Sequence, residues 1–180
     1  IAKGGELTTL TDSQIRALIR TSVTQVTNTV DEQVYIANQD IIWGYVYVAV
    51  LDFRTTAICQ SLDGERFKFG KGPRPPQHFG CRSRIRYITK TEAMGDIQEG
   101  EMRAALGGLV PAGTTYPEWI ASQSAADQEK ALGGKGKARL FRSLLKKQSP
   151  KEAFAKFVSA DGSTVSLKEL QAKYGAPETR

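Results

Sequence analysis

Residues 52–83 place the strongest constraint on the fold of this 180-residue chain, and we call them the signature loop. The loop holds both cysteines and the single histidine of the sequence: Cys59, Cys81 and His78. Glycines and prolines recur from residue 64 to residue 80 and deny the loop regular structure over most of its length. Because ordering each residue costs conformational entropy, we expect a cross-link or a metal to pin the loop.

A long helix is predicted before the signature loop. Its apolar residues recur at steps of three and four, which predicts one apolar face: Ile15, Leu18, Ile19, Val23, Val26, Val30 and Val34. Thr11-Asp12-Ser13 supplies N-cap chemistry, and the helix should end near Ala37-Asn38. Since β-branched residues lower helix propensity, we expect the helix to depend on tertiary packing.

Strands are predicted on both sides of the signature loop. Residues 41–51 form the most β-prone segment of the chain, and residues 84–88 alternate as a short strand does. The first segment is about half the roughly 20 apolar residues that a membrane helix needs, so we expect no membrane segment. The chain begins with Ile rather than Met, which suggests a processed N-terminus.

The C-terminal part is predicted to be mainly helical. One helix opens at Tyr116-Pro117 and closes at Leu132 before two glycines. A basic helix follows over residues 138–147, with an apolar face of Leu140, Phe141, Leu144 and Leu145. Asp161-Gly162 predicts a hairpin turn, and Ser166 with Glu169 predicts the capping box of a last helix.

These elements predict an α+β fold. A long N-terminal helix packs on a small antiparallel sheet that carries a long Cys/His-pinned loop, and a mainly helical part with a hairpin follows. We predict a core domain at 1–92 containing the signature loop 52–83, a linker or mobile loop at 93–115, and a helical region with a short hairpin at 116–180.

Three states are open for the cysteines. The spacing C-x18-H-x2-C predicts a structural zinc site with Cys59, His78 and Cys81, in which Asp52 or water supplies the fourth ligand. A Cys59–Cys81 disulfide would close a loop of about 20 residues and stabilise the fold by on the order of 3 kcal/mol. The third state has two reduced, partly buried thiols beside a hydrogen-bonded histidine.

Basic residues are concentrated in blocks. The formal net charge is +6, and residues 66–90 hold eight Lys or Arg and no acid. Such blocks suit phosphate contacts with nucleic acid, docking on acidic protein surfaces, or a solvated face. The predicted nucleic-acid contacts are Arg82, Arg84, Arg86, Lys137, Arg139, Arg142, Lys146 and Lys147.

The order of residues in the signature loop resembles that of the phage Mu F-like minor head protein family. The pattern is D-x-R-T-T-x-x-C-x-x-L-D-G followed by P-P-x-H-x-x-C-R-S. The matching positions are Asp52, Arg54, Thr55, Thr56, Cys59, Leu62, Asp63, Gly64, Pro75, Pro76, His78, Cys81, Arg82 and Ser83. The resemblance extends over roughly residues 12–175. Many members of that family carry Cys where this chain has Thr56, so the set CxxC…HxxC is incomplete here.

This resemblance implies a non-enzymatic minor head protein of a tailed bacteriophage. Such a protein acts in head assembly at the portal or the capsid interior, is made in the host cytoplasm and can leave the virion with the DNA. Its partners would be portal and capsid proteins, and packaged DNA without sequence preference. No catalytic residue is assigned. The signature residues are expected to shape the loop, with the Arg54 guanidinium clamping Asp52, Asp63 or loop carbonyls.

Two other classes remain. A phage-delivered toxin or nuclease domain could use Glu99 and Glu101, which are similar to the paired glutamates of ADP-ribosyltransferases, or Asp52 and Asp63 around a divalent ion. General acid–base chemistry would rest on His78. The other class is a free DNA-binding protein with a zinc-pinned loop.

Overall fold

The computed structural model of the chain describes residues 11–94 and 100–175. Its helices are α1 (Asp12–Ala37), α2 (Ala57–Leu62), α3 (Lys90–Met94), α4 (Tyr116–Ser122), α5 (Ala125–Leu132), α6 (Lys135–Leu145), α7 (Pro150–Ala155) and α8 (Leu167–Tyr174). Its strands are β1 (Ile42–Val48), β2 (Arg66–Phe67), β3 (Arg84–Thr89), β4 (Met102–Ala105) and β5 (Gly108–Pro111). The predicted α+β class, with its long first helix, small antiparallel sheet and mainly helical second part, is confirmed.

The chain forms two compact units. The first contains the residues up to Tyr47 and Arg66–Met94, and the second contains Val48–Glu65 and the residues after Gly95. Residues 48–65 thus belong with the C-terminal part, whereas the sequence analysis grouped them with residues 1–92. No helix in the described ranges is long and apolar enough to cross a membrane.

A three-stranded sheet with the order β2-β1-β3 forms the centre of the first unit. β1 and β2 are antiparallel, with Tyr45 opposite Phe67. Gly44 is required at this point because a Cβ atom there would lie 2.1 Å from the Phe67 carbonyl oxygen. The buried Tyr45 ring contacts Phe67 and Phe69, in each case with 5.6 Å between ring centroids. Aromatic packing therefore stabilises this small sheet.

α1 begins as the sequence predicts, with a capping box between Thr11 and Gln14. The side of α1 that packs on the first unit is polar: Asn28 is 8% exposed and donates a hydrogen bond to the Pro75 carbonyl. The packed face of α1 is therefore not the apolar face that the periodicity predicts. Val23, Val26 and the other residues of that face are 37–63% exposed, because the helix docks through its polar residues.

The core of the second unit is built mainly by α4 to α8. Tyr116, Trp119, Phe141, Phe154 and other buried residues form one cluster, against which Leu144 and Leu145 pack, so the predicted apolar face of α6 is confirmed. The Ser166–Glu169 capping box at the start of α8 is also present. Val158 and Thr164 form an antiparallel bridge across the predicted Asp161-Gly162 turn.

Several elements differ from the sequence analysis. The single helix predicted from Tyr116 to Leu132 is two helices, because Ser124 accepts a hydrogen bond from the Asp127 N–H and caps a new helix. α2, α3 and α7 were not predicted, although Ser149 and Glu152 form a capping box at α7. Residues 102–111 form the β4–β5 hairpin inside the segment predicted as a linker or mobile loop.

Candidate functional site

The carboxylate of Asp63 is the centre of a buried network in the second unit. Oδ1 accepts a hydrogen bond from the Ala49 N–H at 2.6 Å, and Oδ2 accepts one from the Tyr116 N–H at 2.7 Å. Arg103 donates to both oxygens, each at 3.0 Å. The Asp63 side chain is 0% exposed. This single carboxylate therefore holds together Ala49, the β4–β5 hairpin and the start of α4, all in the second unit.

Arg103 is the cation of this network. Its guanidinium also donates to the Thr114 carbonyl at 2.9 Å and to the Ala49 carbonyl. Burial raises the pKa of Asp63, while Arg103 and the two N–H donors oppose that rise. From the sequence we expected the Arg54 guanidinium to clamp Asp52, Asp63 or loop carbonyls. For Asp63 that prediction is wrong, because its guanidinium partner is Arg103. Arg54 is exposed, and its backbone N–H donates to Asp52 Oδ1 at 3.0 Å.

Asp52 and Thr55 shape the start of the signature loop. The Thr55 hydroxyl contacts the Val50 carbonyl at 2.6 Å and Asp52 Oδ1 at 3.2 Å. The Tyr116 hydroxyl donates to the Asp52 carbonyl at 3.1 Å and accepts from Gln60 Nε2 at 2.9 Å. Burial raises the pKa of Tyr116, so this phenol stays protonated and keeps its role as a donor.

Gly64 and Thr56 have local structural roles. Gly64 has a φ of +82°, and a Cβ atom there would lie 2.5 Å from Thr115 Cγ2. Thr56 stands at the N-cap position of α2, so a side chain there lies one helical turn before Cys59.

Pro75 and Pro76 fix the second half of the signature loop against α1. The bond between them is cis, and the Pro75 carbonyl accepts the hydrogen bond from Asn28. Arg74 Nη2 donates to the Asn28 carbonyl at 2.6 Å, and Thr21 Oγ1 accepts from the Gly80 N–H at 2.9 Å. The polar face of α1 is therefore a binding surface for the backbone of this loop.

The predicted zinc ligands are divided between the two units. Cys59 belongs to the second unit, whereas His78 and Cys81 belong to the first. Both cysteines are buried. The predicted fourth ligand, Asp52, accepts hydrogen bonds at Oδ1 from the Arg54 N–H and from the Thr55 hydroxyl. Two sulfur atoms and one imidazole are a donor set typical of zinc sites.

The histidine ring has a defined orientation. His78 Nδ1 lies 3.0 Å from the Phe79 carbonyl oxygen. Because a carbonyl oxygen has no proton to donate, Nδ1 is the donor of this contact.

Two of the predicted nucleic-acid contacts lie together with two further arginines. Arg82 and Arg84 line an open groove of about 460 Å³ with Arg16 and Arg20 of α1. We call this the arginine groove; its other lining residues are Ile19, Val23, Thr24, Cys81 and Ser83, so no acid lines it. Arg86 lies outside the lining and pairs with Glu92 at 3.1 Å.

The remaining predicted contacts are on and after α6 in the second unit. Arg139, Lys146 and Lys147 are exposed, whereas Arg142 donates to Gln128 Oε1 at 3.0 Å. Burial lowers the pKa of Lys137. Three of these predicted contacts are thus exposed, whereas Arg142 is hydrogen-bonded within the protein.

Sequence reasoning missed Arg103, Tyr116, Arg16 and Arg20 as partners of signature residues. Arg103 is the single Lys or Arg between residues 91 and 129. Its isolation in an acidic segment was the signal in the sequence that it pairs with a buried acid. Of the paired glutamates, Glu99 lies outside the described residues, and Glu101 is exposed. Comparisons with protein-family models, curated proteins and solved structures find no match for this chain.

Proposed function

We propose that this chain is a non-enzymatic minor head protein of a tailed bacteriophage, acting in head assembly at the portal or the capsid interior. In this proposal it contacts packaged DNA without sequence preference and leaves the head with the DNA. One observation carries the proposal: Asp63, the central acid of the signature loop, is 0% exposed and fully engaged in structural hydrogen bonds.

A catalytic carboxylate has to reach its substrate. Asp63 instead accepts two backbone N–H bonds and a two-point contact from Arg103, which use the lone pairs of both oxygens. Such an acid determines the shape of the loop. A loop held in one conformation suits a protein whose role is to present a surface to its neighbours in an assembly.

The spacing of Cys59, His78 and Cys81 in the sequence supports a structural zinc. In this proposal the two thiolates and the imidazole hold the ion, with water at the fourth position. The ion would neutralise two buried thiolates and cross-link the signature loop. This proposal assigns the zinc a structural role.

The arginine groove supports the proposed contact with DNA. Arg82, Arg84, Arg16 and Arg20 line one cavity that has no acid in its lining. Guanidinium groups bind phosphate oxygens strongly and read no bases, so the contact would be insensitive to sequence.

Virions test the proposed function. Phage whose genome encodes this chain is purified through two density gradients, and antibody to the chain is used on intact particles, on disrupted particles and on procapsids. We expect the chain in procapsids and in disrupted particles, and no labelling of intact particles. Its absence from both procapsids and virions overturns the assignment.

The toxin or nuclease class predicts a different result. Purified chain would modify host protein with a nicotinamide dinucleotide or would cleave DNA, and Glu101→Gln or Asp52→Asn would abolish that activity. We expect no activity above that of the two variants.

A further inference from the structure

The exposed face of α1 carries an aliphatic stripe with a symmetric spacing. Its members are Ile15, Ile19, Val23, Val26, Val30 and Val34, and we call them the α1 stripe. Leu18, the seventh residue of the predicted apolar face, lies outside the stripe, about 100° around the helix from Ile19. The steps between the six members are 4, 4, 3, 4 and 4 residues, which is the same series in both directions along the chain. Each of these six residues is between 37% and 63% exposed.

The stripe lies on the side of α1 opposite Asn28, and at one edge Ile19 and Val23 also line the arginine groove. Ile19 precedes the buried Asn28 by nine residues, and at about 3.6 residues per turn these two lie on opposite sides of α1. A 4-4-3 spacing repeats every 11 residues, about 3.67 per turn, so the stripe runs almost parallel to the helix axis. It extends for about 28 Å, at about 1.5 Å per residue.

An aliphatic surface of this length on one helix marks an interaction site. A second helix packed along α1 could cover the whole stripe, because the stripe runs almost parallel to the helix axis from Ile15 to Val34. The symmetric spacing identifies that second helix. Two copies of α1 in opposite directions match Ile15 with Val34, Ile19 with Val30, and Val23 with Val26.

We propose that two copies of this chain associate through their α1 stripes as an antiparallel, two-fold symmetric helix pair. In such a pair each contact occurs twice, as an isologous interface requires. The two-fold axis passes between Val23 and Val26. This proposal is independent of the function proposed above.

Charge selects the antiparallel direction. The first half of α1 carries Asp12 with Arg16 and Arg20, so its net charge is positive. Arg16 and Arg20 share their groove with Arg82 and Arg84. The second half carries Asp31 and Glu32. A parallel pair would bring two arginine grooves side by side. An antiparallel pair separates them and places each near the acidic half of the partner copy, although Glu32 already has Arg74 at 3.6 Å within its own chain.

Sedimentation equilibrium of the complete chain at several concentrations is the first test. We expect a monomer–dimer equilibrium, and we expect Val23→Glu and Val26→Glu each to weaken the dimer by at least tenfold. Gln25→Glu is the matched control, because its side chain is exposed and lies about 100° around the helix from Val26. Wild-type chain that is monomeric at 200 μM overturns the proposal, as does equal weakening by the control.

A charge pair tests the direction. Ile19→Glu and Val30→Lys should each weaken the dimer, and the double variant should dimerise more tightly than the two single effects predict. In an antiparallel pair Glu at 19 meets Lys at 30 of the other copy, whereas a parallel pair opposes like charges. Within one chain the two positions are about 16 Å apart along α1, beyond the Debye length of about 10 Å at 0.1 M salt.

The outcomes of this second test are distinct. Positive coupling between the two substitutions supports the antiparallel register. Zero or negative coupling overturns it. Circular dichroism of each variant identifies any that fail to fold, and for those the smaller pair Ile19→Ser and Val30→Ser keeps the weakening measurable.

Discussion

Asp63 and Arg103 are 40 residues apart in the chain and form a two-point ion pair, with each guanidinium nitrogen 3.0 Å from one carboxylate oxygen. The side chains are 0% and 13% exposed. Because the carboxylate also accepts two backbone N–H groups, the pair connects the signature loop to the β4–β5 hairpin and to α4.

Removing Arg103 should destabilise the protein strongly. Arg103→Ala leaves a buried carboxylate without its counter-ion, and we expect the free energy of unfolding to fall by about 3–5 kcal/mol. Urea denaturation followed by circular dichroism measures this. Arg54→Ala is the matched control, with an expected change within about 0.5 kcal/mol, since Arg54 is exposed. Equal effects of the two substitutions would contradict the structural role of the pair.

Gly64 should resist substitution for two separable reasons. Gly64→Ala places a Cβ atom 2.5 Å from Thr115 Cγ2 at a φ of +82°. Gly70→Ala, at a φ of +72° with no atom within 4 Å, carries the backbone strain alone, about 1–2 kcal/mol. We expect a larger loss of stability for Gly64→Ala and partial recovery with Thr115→Ser, which keeps the capping hydroxyl. No recovery would refute the steric explanation.

The cysteine–histidine cluster should bind one zinc ion per chain. Metal analysis of protein purified without chelator, together with thiol titration before and after denaturation, measures this. Thr56→Cys adds a thiolate one turn before Cys59, so we expect tighter zinc binding, whereas His78→Ala should weaken it. Protein that holds no zinc and has two reactive thiols in the native state would exclude the metal.

The arginine groove should control the salt dependence of DNA binding. Each phosphate contact adds about 0.9 to the slope of log K against log salt concentration, so Arg82→Ala with Arg84→Ala should lower the slope by roughly 1–2. Fluorescence anisotropy with duplex DNA at several KCl concentrations gives the slope. Arg86→Ala should leave it unchanged because Arg86 pairs with Glu92. An unchanged slope in the double variant would remove the groove from DNA binding.

Acid should weaken the starts of α7 and α8. Hydrogen bonds from Ser149 and Ser166 lower the pKa of Glu152 and Glu169 below the unfolded value of about 4.3. Their stabilising contribution is therefore present above that pH and is lost as pH falls through the lowered folded pKa. We expect Glu152→Gln with Glu169→Gln to flatten the fall of Tm between pH 6 and pH 3. Glu129→Gln, outside any capping box, should not.

Many residues of the candidate site could be located from the sequence, but the contacts between them could not be predicted. The pattern of the signature loop includes Asp63, and the structure places that residue at the centre of a buried network. The partner of Asp63 was expected nearby in the chain, yet it is Arg103 in a segment predicted as a linker. A contact between residues 40 positions apart depends on how the chain packs, and no local pattern records it.

The sequence by itself determined the elements whose causes are local. A capping box joins Thr11 to Gln14 and another joins Ser166 to Glu169, so each lies within one turn of helix and is visible as a short pattern. Only the tertiary structure decided which surfaces those elements bury. Periodicity predicted an apolar face on α1, but the polar face packs inward, because Asn28 donates a hydrogen bond to the Pro75 carbonyl and Thr21 accepts one from the Gly80 N–H. Periodicity reports that a helix has two faces, whereas the partners of each face are set by the rest of the molecule.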